Sequence, residues 1–312
     1  MAREKDTGLV TVATIRKGKE GEQILFNERQ QIFTLGSAAK SRTEVSGFLK
    51  DAVKKNTPVK VVLDPKRATV EKIDVPNADE IGEFRKNLVL EKRPAKPVSL
   101  DLSEIDPTVF NVVDFKLKWP VFKLCTKYVP NYTKAKEIFD FCAEQSCHLP
   151  APYDISPCIP FQYVRDGCYA RAHKMRKIIT TKYGYCCEKV FSFANQGQDS
   201  LAVKADKWGG CCVTWWYHVA PLIRVKIKIL NFNFVLAMVI DPGMFNNPVL
   251  LSTWLGAQKN TACHPNANVS MYSIQAGSAY APANYTGTAF STDPAYTATD
   301  ATLINYAGLT TC

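Results

Sequence analysis

Cys168 directly follows a glycine in DGCYARAHKM (166–175), where a helical pattern begins. Cys168, Ala172, Met175 and Ile179 recur at i, i+4, i+7 and i+11, which predicts one stripe of a helix with the thiol in its first turn. Free backbone N–H groups and the positive end of the helix dipole gather at that turn. Both favour the thiolate, the nucleophilic form of cysteine. The same N–H groups can hold the oxyanion that forms when a thiolate attacks a carbonyl. The competing use is a disulfide, since the chain carries 11 cysteines.

A thiolate nucleophile works with an imidazole, and the sequence offers 4 histidines. His173 lies on the same predicted helix but about 140° round from Cys168, so it points elsewhere. His148 and His264 fall in proline-containing loop segments beside cysteines. His218 sits inside the aromatic stretch VTWWYHVA, where a buried imidazole must have a polar partner. Downstream, VID ends in Asp241 ahead of Pro242 and Gly243. If the two stretches pair as a hairpin turning near Asn231–Asn233, His218 and Asp241 come opposite each other, and the carboxylate can orient the ring. Taken singly, His218 also fits a satisfied core histidine and Asp241 a plain turn residue. Together, the order Cys, His, Asp points to a thiol hydrolase.

Two units must position these groups. The first alternates strand and helix signals. LVTVATI (9–15) and ILFNERQQIFTL (24–35) read as extended, and Ser41 with Glu44 makes a capping box ahead of VSGFLKDAV. VKVVLD (59–64) and TVEKIDV (69–75) flank the turn PKRA as a hairpin, and Asn77 with Glu80 starts another helix. This α+β unit, residues 1–91, holds no cysteine and no histidine. EKRPAKPVSLDLSEIDP (91–107) is rich in proline and charge and lacks any period, as an exposed, protease-sensitive connector does, and the linker with its cleavage region falls within 92–127. In 128–312, TKAKEIFDFCAEQ and the Cys168 segment read as helices. CVTWWYHVAPLIRVKIKIL and NFVLAMVID read as neighbouring antiparallel strands. Beyond Cys263, few charges and much Ala, Thr, Ser, Asn and Tyr predict a loop-rich wrap pinned by Cys263 and Cys312.

Composition narrows the function. A chain of 312 residues, 46% hydrophobic and 22% charged, is ordinary for a globular protein. No apolar run reaches the roughly 20 residues of a membrane helix. All the cysteines lie between Cys125 and Cys312, including the vicinal pairs Cys186–Cys187 and Cys211–Cys212. That density predicts a secreted protein whose signal is missing here. The vicinal pairs match no zinc spacing, so no zinc site is expected. An odd number of thiols leaves at least one unpaired. Residues 1–115 carry 20 basic against 18 acidic side chains, and 116–312 carry 19 against 11. The excess is dispersed and framed by no nucleic-acid motif, so a basic secreted enzyme that meets acidic proteins or cell surfaces is expected, with neither nucleic acid nor a membrane as partner.

At these residues the sequence resembles the protein-glutaminases, secreted bacterial protein-glutamine deamidases made as proenzymes. SPCIPFQYVRDGCYARAHKMR, GYCCEK, CCVTWWYHVA and VIDP carry the resemblance. VPNYTKAKEIFDFCAEQSC resembles the family's mature N-terminal region, and AVKKNTPVKVVLDP its propeptide. The resemblance implies an α+β, papain- and transglutaminase-like core with an antiparallel sheet, preceded by a small α+β pro-domain. It implies Cys168 as nucleophile, His218 as acid and base, Asp241 as the orienting carboxylate, and up to five disulfides among the other thiols. It further implies protein substrates with exposed glutamine, an activating protease, a monomer, a pro-domain that imitates the substrate, and chemistry that needs neither metal nor organic cofactor. Gln30 and Gln31, in NERQQIF, are the candidates for that imitation. A transglutaminase, a thiol protease and a disulfide-rich binding module remain the alternatives.

Overall fold

The computed structural model describes residues 5–18, 21–35, 42–87, 127–229 and 232–312. The N-terminal unit comprises β1 (Asp6–Val10), β2 (Val12–Gly18), β3 (Gly21–Phe26), β4 (Ile32–Leu35), α1 (Arg42–Lys55), β5 (Val59–Asp64), β6 (Thr69–Asp74) and α2 (Ala78–Asn87). Its strands form one sheet in the order β1-β5-β6-β4-β3-β2. Alternation in β5 buries Val59, Val61 and Leu63 beneath Leu49 and Ala52 of α1. The Asn77–Glu80 capping box is present at α2, each side chain accepting from the other's backbone N–H at 2.8 and 3.0 Å. Ser41 lies outside the described residues, as does the connector apart from Lys127.

One expectation fails in an informative way. ILFNERQQIFTL is not a single strand; β3 ends at Phe26 and β4 resumes at Ile32. The turn between them sends Arg29 and Gln30 into the C-terminal unit, where partners there replace the ladder bonds a continuous strand would make.

The C-terminal unit comprises α3 (Tyr132–Glu144), α4 (Cys168–Thr181), β7 (Glu188–Phe193), β8 (Leu201–Lys204), β9 (Cys212–Trp215), β10 (Tyr217–Ile229), β11 (Phe232–Val239), β12 (Val249–Leu250), α5 (Leu251–Ala257), β13 (Met271–Gln275), β14 (Ala279–Pro282), β15 (Phe290–Thr292) and α6 (Thr297–Tyr306). Its antiparallel sheet runs β12-β11-β10-β7-β13, and β8 pairs separately with β9. β10 and β11 form the expected hairpin, with Leu222 opposite Val239 and Ile229 opposite Phe232. Alternation on β10 turns Val219, Ile223 and Val225 into the core with α4, and Ala220 and Leu222 toward Trp254 of α5. The tail is more than a wrap: β13 is an edge strand of the main sheet, and Leu303 and Tyr306 of α6 are buried.

Three disulfides join described residues: Cys147–Cys158, Cys211–Cys312 and Cys212–Cys263. The vicinal pair Cys211–Cys212 thus goes to two different partners, holding the tail at two points. Cys186 is also disulfide-bonded. Cys142, Cys168 and Cys187 are free and buried, so parity alone could not single out Cys168. No helix among the described residues is long and apolar enough to cross a membrane.

Candidate active site

Gly167 sets the start of α4. Its φ is 81°, and a Cβ there would come within 2.8 Å of the Tyr306 ring. Cys168 is therefore the first helical residue, with its N–H free of the helix ladder. That N–H donates to Gln30 Oε1 at 3.1 Å. The thiol faces the start of β10, where the Val219 N–H lies against it.

His218 immediately precedes Val219. Its ring is stacked between Trp215 and Trp254, with centroids at 4.5 and 5.3 Å. Asp241 follows β11, and its Oδ2 accepts from His218 Nε2 at 2.8 Å and from Trp254 Nε1 at 2.9 Å. His218 Nδ1 is buried and without a hydrogen-bond partner. Burial pushes the Asp241 carboxyl up, but the charge of His218 and hydrogen bonds from His218 and Trp254 outweigh it and hold the group below its ordinary value. This carboxylate is thus kept ionised beside an imidazole fixed in its plane.

The thiol departs from the helix-terminus expectation. Burial pushes Cys168 well above its ordinary value; the charge of Arg171 and the Val219 N–H oppose this, while Asp166 and Asp241 add to it. Cys168 is only 1% exposed, and Gln30 of the N-terminal unit sits on its backbone N–H. Burial, not the helix end, thus sets the direction of the thiol's shift.

The two candidate glutamines separate. Gln30 is fully buried. Its Nε2 donates to Val164 O at 2.9 Å, its backbone N–H donates to Asp166 Oδ1 at 2.9 Å, and its backbone carbonyl accepts from Trp216 N–H at 3.2 Å. Gln31 turns back to its own unit, donating to Pro65 O at 2.9 Å. The chain around Gln30 is also held: Arg29 donates to Tyr169 Oη at 3.1 Å and lies 3.6 Å from Asp166, and Trp216 Nε1 donates to Arg29 O at 2.7 Å.

Several residues here carried no signal in sequence. Asp166 accepts from Tyr306 Oη at 2.8 Å. Arg171 donates to the carbonyls of Tyr163 and Asp166 at 2.7 and 2.6 Å, shaping the loop that ends in Val164. The stretch VTWWYHVA contains Trp215, but nothing near it in sequence marks Trp254 as the other ring against His218. His173, set aside for its direction, lies elsewhere, between Lys189 Nζ at 2.7 Å and Asp293 O at 3.1 Å. Among the described residues, no group of three or more His, Cys, Asp or Glu could hold a metal ion.

Fold and site together define an α+β enzyme of the thiol-hydrolase class, with a cysteine at a helix N-terminus beside an imidazole–carboxylate pair on an antiparallel sheet. A family model described as glutaminase matches residues 135–258. The chain belongs to the protein-glutaminase family. It is 35% identical to a protein-glutaminase crystal structure over 60% of this chain and 92% of that one, with a TM-score of 0.50. The NMR structure of protein-glutaminase from Chryseobacterium proteolyticum gives 34%, 59%, 91% and 0.50 for the same measures. A crystal structure of pro-protein-glutaminase is 27% identical over 99% of this chain and 95% of that one, with a TM-score of 0.70. No curated protein sequence matches.

Proposed function

We propose that this chain is the secreted, monomeric proenzyme of a protein-glutamine deamidase. Residues 1–91 are its inhibitory pro-domain, 92–127 the connector cut by an activating protease, and 128–312 the catalytic domain. The observation that carries this reading is the Gln30 carboxamide, held oxygen-first on the Cys168 N–H and nitrogen-first on Val164 O.

In the cut enzyme a substrate glutamine takes the place of Gln30. Cys168 passes its proton to the free Nδ1 of His218 and attacks the carboxamide carbon, and the Cys168 N–H holds the oxyanion. Asp241 steadies the imidazolium at Nε2. His218 then protonates the departing ammonia. Water, activated by the neutral ring, hydrolyses the γ-glutamyl thioester and frees glutamate. Val164 O makes the site selective for an amide: it accepts from an NH2 group, but it opposes the oxygen of the carboxylate product.

Casein treated with connector-cut protein is expected to release ammonia and gain glutamate, with neither chain fragments nor cross-linked species. The Cys168→Ala protein, cut the same way, is expected to release none. Fragments would identify a protease, and high-mass species a transglutaminase. Absence of all three from correctly cut protein would leave a binding module.

The contacts of Arg29 support a preference for a basic side chain before the glutamine. Burial pushes the Asp166 carboxyl up, and the Arg29 charge and hydrogen bonds from Gly167 and Gln30 draw it back. Tyr169 Oη offers the guanidinium a second contact. Peptides with Arg before Gln are expected to show about tenfold higher kcat/KM than those with Glu there. Asp166→Asn is expected to narrow that ratio.

A further inference from the structure

We propose that the uncut chain deamidates its own Gln30. The inference rests on the deamidase reading above, and it makes Gln30 a substrate where a mere plug would suffice. To exclude substrate, any side chain of similar volume would serve. This residue instead has all four polar groups engaged by the other unit: the Cys168 N–H, Val164 O, the Asp166 carboxylate and the Trp216 N–H. Its carboxamide lies against the residue that bears the thiol. On the residue before Val219, whose N–H lies against the thiol, His218 Nδ1 is buried with no hydrogen-bond partner.

The reaction is balanced within the chain and water. The Cys168 sulfur bonds to the Gln30 side-chain carbon, the carbon–nitrogen bond breaks, and ammonia leaves with the thiol proton delivered through His218. Water then cleaves the thioester, restoring the thiol and leaving a glutamate side chain in place of the glutamine. The raised thiol value makes the first step slow while the cover is in place.

The product alters the zymogen. The new carboxylate meets Val164 O acceptor to acceptor, and it adds negative charge to the residue already held on the buried Asp166 carboxylate. Self-deamidation therefore loosens the pro-domain from the site it covers.

The test follows full-length, uncut protein over time. Digestion at lysine yields residues 20–40, which contain Gln23, Gln30 and Gln31 together. Avoiding cleavage after Arg29 keeps Gln30 from becoming an N-terminal residue that cyclises. Fragment spectra are expected to show a gain of about 1 Da at Gln30 alone, at a rate independent of protein concentration. A thioester that outlasts its ammonia would appear as intact chain roughly 17 Da lighter and sensitive to hydroxylamine. Neither change should occur in the Cys168→Ala chain. If the cut wild-type protein releases ammonia from casein but Gln30 stays unchanged, self-deamidation is overturned and the deamidase reading stands. If the cut protein releases none, both fall. Equal conversion at Gln23, Gln30 and Gln31, or conversion in Cys168→Ala, identifies non-enzymatic ageing and also overturns it.

Discussion

Changing Asp241 to Ala is expected to lower kcat for glutamine deamidation about 10⁴-fold in the cut enzyme, with KM nearly unchanged. In the proposed mechanism the carboxylate acts through His218 as a positioning residue. One oxygen, Oδ2, takes the hydrogen bonds of both His218 Nε2 and Trp254 Nε1. Alanine removes the anchor, frees the ring to rotate and withdraws the charge that steadies the imidazolium. Asparagine separates these contributions, because its carbonyl oxygen can still accept both bonds. Asp241→Asn should therefore keep the ring in place and lose only the charge, costing about 10²-fold. The graded pair distinguishes orientation from electrostatics, and near-UV circular dichroism of the Trp215–His218–Trp254 stack reports whether the ring has moved. Equal losses from both variants with the stack intact would assign the whole effect to charge. Retention of near-wild-type kcat by Asp241→Ala would remove Asp241 from the mechanism.

Cys168, His218 and Asp241 were legible in sequence because each lies in a local pattern. A helical stripe starts after a glycine, an aromatic strand contains one polar ring, and a paired strand ends in a carboxylate. The hairpin register follows from alternation, so the His–Asp pairing could be anticipated without knowing the rest of the fold. What joins distant segments could not. Gln30 and Gln31 are chemically identical neighbours, and which one reaches the thiol depends on the turn after β3 and on what meets it across the interface. Trp254 is separated from His218 by an entire hairpin, and Asp166 gains its role only when Tyr306 and Arg29 arrive from the two ends of the chain. The thiol's raised value belongs to the same class: a helix N-terminus is local, but burial by a second unit is not. Likewise β13, with little alternation to mark it, is a strand only because β7 offers it an edge.

Cutting the connector and removing the pro-domain is expected to raise the rate of Cys168 alkylation by iodoacetamide more than about 10³-fold at neutral pH. Two barriers fall together. The first is access: Cys168 is 1% exposed, with Gln30 on its backbone N–H. The second is the thiolate fraction. Burial holds the covered thiol well above its ordinary value of 9.0, and each unit of that rise removes about tenfold of the reactive form. Once water reaches the site, desolvation weakens, while the helix N-terminus and Arg171 continue to favour the thiolate. Below its raised value, the uncut chain should alkylate about tenfold faster per unit increase in pH, whereas the cut enzyme should be far less sensitive. Cys142 and Cys187 are internal controls. Both stay in the core of the catalytic unit, and burial pushes Cys187 up to about 12, so neither should gain label on cutting. Scission alone is not the trigger, since Arg16, Asn27, Arg29 and Gln30 still grip the catalytic unit. It acts by ending the high effective concentration that the tether maintains. Dilution after cutting should therefore increase labelling, and Gln30→Gly should raise it even in the uncut chain. A cut, separated catalytic unit whose Cys168 remained as inert as its two buried neighbours would show that the pro-domain is not what silences the thiol.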